Sequence, residues 1–86
     1  MKIEIYTKHT CPYCHRAKEL LGKKNLKFKE LDLIQNPKLR DIMIQRTEGL
    51  STVPQIFIND EYLSDCDGLY TLEKSGKLDE ILKKYK

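Results

Sequence analysis

Cys11 and Cys14 stand three positions apart in "HTCPYCHR", with Pro12 and Tyr13 between them and basic residues on either side. That spacing suits a metal ligand pair, a structural crosslink or a redox couple. A zinc site would want two more ligands, and Cys66, His9 and His15 are the only candidates. A stapling framework is the weakest of the three readings, because three cysteines are an odd number and a reducing compartment leaves structural thiols unpaired.

A thiol does its chemistry as the thiolate, and a free cysteine is only slightly ionised at neutral pH. The local pattern supplies what such an anion needs. Pro12 fits the first position of a helix, where its missing N–H has no partner to lose. Cys11 then faces the positive end of the helix dipole and its unpaired N–H groups. Cys14, one turn later on the same side, can offer its S–H to that sulfur, and Lys8 can approach from the preceding loop. The same spacing lets a disulfide close with little backbone movement. In a redox couple, Cys11 is therefore the exposed attacker, and Cys14, set among packing residues, is the resolving partner.

The elements that must position these thiols follow from hydrophobic spacing. "KIEIYT" (Lys2 to Thr7) reads as a first strand ending at the cysteines. From Pro12, the residues Cys14, Ala17, Leu20 and Leu21 share one helical face, and Gly22 with Asn25 marks the end. "LKFKELDL" (Leu26 to Leu33) alternates as a second strand, and the Asn36–Pro37 pair opens a second helix with Leu39, Ile42 and Met43 as its apolar stripe. Gln55 to Ile58 is a third strand whose unbroken apolar run suits burial on both faces. Asn59 and Asp60 signal a tight turn into a fourth strand around Tyr62 and Leu63. The closing segment carries Leu69 and Leu72, breaks at "SGK", and resumes with Leu78, Ile81, Leu82 and Tyr85, so two short helices are expected. Alternation of strand and helix makes the first two strands parallel, joined by a right-handed crossover.

Length and composition set the bounds. Eighty-six residues make a single domain, 1–86, with 40% hydrophobic and 34% charged residues, as in an ordinary globular protein. The net charge of +3 comes from scattered residues rather than a basic stripe, which argues against nucleic-acid binding. The terminal "KKYK" suits a solvated helix end. No apolar run approaches the ~20 residues of a membrane span, and the N-terminus has no signal-peptide core, so a cytoplasmic chain with no membrane partner is expected.

Three segments taken together, "TKHTCPYCHRAK", "STVPQIFIND" and "CDGLYTLEKSGKLDEIL", resemble a dithiol glutaredoxin of the small bacterial type across essentially the whole chain. "CPYC" is that family's usual active site and "TVP" its usual companion. The resemblance implies a thioredoxin-like α/β fold: a four-stranded mixed sheet flanked by helices in the order β-α-β-α-β-β-α, in agreement with the elements read above. It also implies a glutathione-dependent thiol–disulfide oxidoreductase, with glutathione as co-substrate and no metal. Cys11 would attack the glutathionyl sulfur of a mixed disulfide and be regenerated by free glutathione, and Cys14 would join in for protein disulfides.

By the same resemblance Pro54 is cis and lies against the sulfurs. Val53 presents its backbone to the cysteinyl part of glutathione, with Thr52 beside it and Tyr13 lining the groove. The N–H groups of Cys66 and Asp67 receive the γ-glutamyl carboxylate, and the Asp67 side chain meets its ammonium. Lys8 meets the glycine carboxylate, with Arg40 as a further aid. Ser64 and Asp65 replace the family's usual glycine pair, and Gly68 stands where a second acidic residue is usual, which implies weakened glutathione binding. The implied partners are glutathione and disulfide-bearing or glutathionylated proteins, ribonucleotide reductase among them, acting on a monomer.

Two other functions compete. A carrier of a glutathione-ligated [2Fe–2S] cluster would resemble the monothiol relatives, which have glycine and phenylalanine where Pro12 and Tyr13 stand. An electron donor fed by thioredoxin reductase would carry tryptophan before the first cysteine, and this chain has none. Cys66 reads as a small buried apolar residue, and His9 and His15 as solvent-facing.

Overall fold

In a computed structural model that describes residues 1–85, eight elements follow the chain: β1 (Ile3–Thr7), α1 (Pro12–Lys23), β2 (Lys29–Asp32), α2 (Leu39–Arg46), β3 (Gln55–Ile58), β4 (Glu61–Ser64), α3 (Cys66–Lys74) and α4 (Lys77–Lys84). Lys86, the last residue of the terminal basic cluster, lies outside the described residues.

The sheet order is β2-β1-β3-β4. β2 runs parallel to β1, with Glu4 opposite Lys29, while β3 and β4 complete the sheet antiparallel to their neighbours. This is the mixed four-stranded sheet of the thioredoxin-like fold, and the two-residue period of β1 explains its layers. Ile3 and Ile5 face one side, where Ala17, Leu20 and Leu21 of α1, Leu69 of α3, and Leu78 and Leu82 of α4 bury against them. Tyr6 faces the other side and packs with Phe57, Leu33 and Met43 of α2. Each fully buried aliphatic contributes about 1.5–3 kcal/mol, so the sheet face under α1 is a firm base for the cysteine loop.

Glu4 points to the α2 side too, where burial of a lone carboxylate would be costly. Arg46, in the last turn of α2, neutralises it. Its guanidinium donates to Glu4 Oε1 at 3.0 Å and to Tyr6 Oη at 2.9 Å while lying 4.0 Å over the Phe57 ring.

Three sequence expectations need correction. β2 begins at Lys29 rather than Leu26, because α1 ends through Asn25 in a left-handed conformation (φ 59°) and residues 26–28 form a connection that packs Leu26 and Phe28 on the core. α2 begins at Leu39, because the Asn36–Pro37 pair first makes a tighter turn with Leu39 N–H to Asn36 O at 3.0 Å and Arg40 N–H to Pro37 O at 3.2 Å. Ile42 is exposed, since Leu39 and Met43 lie one turn apart on the packed side and Ile42 falls off that line. The hairpin turn, in contrast, has the two positive φ angles its sequence demands, 49° at Asn59 and 70° at Asp60. The closing helical segment splits at Gly76, which has φ 78°.

Candidate active site

The first functional side chain sits at the junction of β1 and α1. Cys11 is the N-cap of α1 with extended backbone, and Pro12 is at the first helical position. The Cys14 N–H donates to the Cys11 sulfur at 3.3 Å, so the sulfur takes the acceptor role that a serine or aspartate plays at ordinary helix starts. As a thiol, Cys11 also points its S–H at the Val53 carbonyl oxygen, 3.9 Å away. The sulfur is therefore held between a helix start and the loop before β3, half-buried and open to an approaching disulfide.

Cys14 is fully buried on the packed face of α1. Burial, followed by its contact with the Cys11 sulfur, pushes its thiol up to about 12, against the smaller opposing effects of a Lys8 backbone bond and the Lys18 charge. Cys14 is thus a protonated, shielded thiol behind the more accessible Cys11. The loop ahead of the pair is pinned as well. Cys11 N–H bonds to Lys8 O at 2.9 Å, and His15 Nε2 donates to His9 O at 2.9 Å. His9 Nδ1 meets Asp32 Oδ2 at 2.9 Å. Burial raises the Asp32 carboxyl, but His9 and the N–H groups of Ile34 and Gln35 outweigh it and hold Asp32 below its usual value. Both histidines are exposed, as expected, yet they brace the cysteine loop, a role their types alone do not signal.

A cavity of about 130 Å³ is lined by Tyr13, Thr52, Val53, Pro54, Asp65, Cys66 and Asp67; neither Cys11 nor Cys14 lines it, and Val53, whose carbonyl lies 3.9 Å from the Cys11 sulfur, connects it to that thiol. Three distant stretches of chain meet there: the start of α1, the loop before β3 with its cis Val53–Pro54 bond, and the start of α3. Tyr13, Thr52, Val53, Pro54, Cys66 and Asp67 were all singled out from the sequence. Lys8 is exposed in the loop before Cys11 and is not part of the lining; Arg40 is exposed at the start of α2, also outside it.

Cys66 is buried, and burial first, then nearby acidic groups and the Cys11 sulfur, raises its thiol against the lowering effect of Arg16. Its N–H and that of Asp67 have no acceptor among the described residues, as befits the first turn of α3. Among the same residues no group of three or more His, Cys, Asp and Glu side chains is arranged to hold a metal ion.

Two features escaped sequence reasoning. Asp65 is the N-cap of α3, its Oδ1 accepting the Gly68 N–H at 2.8 Å; an aspartate directly ahead of a helical run is a readable capping signal. Arg16 lies 6.0 Å over the Tyr13 ring and 5.3 Å over Tyr70, a stacking that no local spacing announces.

Comparison with known proteins bears on what this arrangement does. Residues 3–63 match the family model described as Glutaredoxin. The chain is 53% identical over 81 residues to Glutaredoxin 3 of Escherichia coli strain K12, covering 94% of this chain and 96% of that protein. Its structure superposes on the solution structure of glutaredoxin from Brucella melitensis with a TM-score of 0.83 at 46% identity, over 100% of this chain and 92% of the other. The buckwheat glutaredoxin–glutathione complex is similar at a TM-score of 0.85 and 26% identity, over 95% and 76%.

Proposed function

This chain belongs to the glutaredoxin family and is a thiol–disulfide oxidoreductase, and from that premise we propose that it draws its electrons from glutathione through the Cys11/Cys14 dithiol. The observation that carries the proposal is the cavity next to Cys11, which is lined by Val53, whose carbonyl meets the Cys11 sulfur, and by Cys66 and Asp67, whose N–H groups are open at the start of α3. Glutathione has a thiol flanked by peptide bonds and charged at both ends, and such a molecule is held by strand-like backbone pairing in its middle and by a helix start at one terminus. The buckwheat relative, which was solved with glutathione, adds support.

In this reading, the Cys11 thiolate attacks the glutathionyl sulfur of a protein–glutathione mixed disulfide. A bond forms between the two sulfurs, and the protein thiolate leaves. A second glutathione thiolate then attacks the same glutathionyl sulfur, producing glutathione disulfide and returning Cys11 to its thiolate. For a protein disulfide, Cys11 forms a mixed disulfide with one substrate sulfur as the other departs. Cys14 gives up its proton, attacks the Cys11 sulfur and expels the remaining substrate thiolate. The resulting Cys11–Cys14 bond is reduced by two glutathione molecules. Tyr13, Thr52, Val53, Pro54, Cys66 and Asp67 line the docking groove, and Lys8 reaches the glycine carboxylate from outside it. The chain works as a monomer in a cytoplasm that keeps thiols reduced, and its partners are disulfide-bearing or glutathionylated proteins, with ribonucleotide reductase in that class.

The test is Cys14→Ser in an assay coupled to glutathione reductase. Stripping of glutathione from a mixed disulfide is retained and reduction of a protein disulfide is lost. Equal loss of both activities would contradict the division of labour, and turnover supported by thioredoxin reductase alone would overturn the choice of reductant.

A further inference from the structure

α3 starts with a negative charge already seated on it. The Asp65 carboxylate accepts the Gly68 N–H at 2.8 Å and lines the cavity, one residue from the open N–H groups of Cys66 and Asp67. Asp67 lines the cavity too, and no lysine or arginine does. Arg16, the nearby cation, is stacked over Tyr13 and Tyr70 outside that lining.

Gly68 leaves the space beside Ser64 and Asp65 clear. A Cβ at that position would come within 3.2 Å of Asp65 Oδ1 and 2.9 Å of Ser64 Cβ. Ser64, Asp65 and Gly68 therefore form one set in which side chains occupy the near side of the helix start because none is present on the far side. The unpartnered, buried Ser64 Oγ belongs to the same set.

A helix start attracts anions through its free N–H groups and roughly half a unit of positive charge. An internal carboxylate satisfies one of those donors and offsets that charge. We propose that Asp65 is a specificity-determining residue: its carboxylate disfavours thiols that bring a carboxylate to the α3 start, glutathione included, and favours thiols that end in a cation. The inference rests on the reading that glutathione docks in this cavity. Two carboxylates about 6 Å apart in surroundings between water and protein surface repel by an amount equal to about three- to tenfold in binding, counted for a glutathione carboxylate whose neighbouring ammonium is turned to Asp67.

Asp65→Asn tests this cleanly, because asparagine caps a helix as well as aspartate does but carries no charge. Oxidised wild type and variant, each with the Cys11–Cys14 disulfide formed, are reduced by glutathione or by cysteamine, a thiol with an ammonium and no carboxylate. The second-order rate constant with glutathione rises about three- to tenfold in the variant, while that with cysteamine stays level or falls. Asp65→Ser, a second capping residue, gives the same pattern and serves if the first variant folds poorly. A change of the same sign with both thiols marks Asp65 as merely structural and overturns the inference. Equal glutathione rates in variant and wild type overturn it while leaving glutathione as reductant. Failure of glutathione to reduce either protein overturns the reductant as well.

Discussion

Cys11→Ser tests how the Cys11 sulfur governs the Cys14 thiol. In the reduced protein the Cys14 thiol is pushed from the ordinary 9.0 to about 12, first by burial and then by the hydrogen bond and charge of Cys11. Ten-fold for each pH unit, that leaves about a thousandfold less thiolate at neutral pH than an ordinary cysteine has. The substitution removes the sulfur charge and keeps the burial. Cys14 in Cys11→Ser therefore titrates lower than in the wild type, while burial still holds it above an ordinary thiol. The consequence for turnover is an ordering of events. In the proposed mixed disulfide on Cys11 the same relief applies, so Cys14 loses its proton more readily there than in the reduced protein. With 13Cβ-labelled cysteine, NMR titration resolves Cys14 from Cys66. Wild-type Cys14 stays protonated up to about pH 11, and the variant's Cys14 ionises at a lower pH than the wild-type resonance. A variant Cys14 that titrates at the same pH as the wild type or higher, or a wild-type Cys14 that ionises near 9, would refute the reasoning.

Two further outcomes concern the fold that holds the site. Gly68→Ala, which at most helical positions gains about 1 kcal/mol, here destabilises by about 1–2 kcal/mol because its Cβ meets Ser64 Cβ at 2.9 Å; urea unfolding measures it, Ser64→Gly in the same chain relieves it, and a gain from Gly68→Ala alone would show that the contact is absent. Arg46→Met strips the buried Glu4 carboxylate of its guanidinium and costs about 2 kcal/mol, less than a fully buried pair because Arg46 is partly exposed. A loss under about 0.5 kcal/mol in the same unfolding experiment would mean that the pair carries no weight.

Much of the molecule is legible in short stretches because its determinants are neighbours in the chain. Pro12 after Cys11, and Cys14, Ala17, Leu20 and Leu21 at helical spacing, are enough to place a dithiol at a helix start, and the buried residues of α1 are those four. Asn59 and Asp60 announce their turn because few other residues adopt two successive left-handed conformations. What the chain could not announce locally depends on partners about forty residues away. The Cys11 sulfur meets the Val53 carbonyl, and Arg46 meets Glu4, each across 42 positions. Ile42 has the same apolar side chain as its neighbours, and only the seating of α2 on the sheet leaves it exposed. The cavity is the strongest case, since its three segments meet only when β1 and β3 pair in the sheet and α3 packs against α1. Spacing along one helix thus determines which thiol caps it and which is buried, whereas the closing of the sheet decides what stands opposite them, because hydrogen-bonded strands bring together residues that no local period relates.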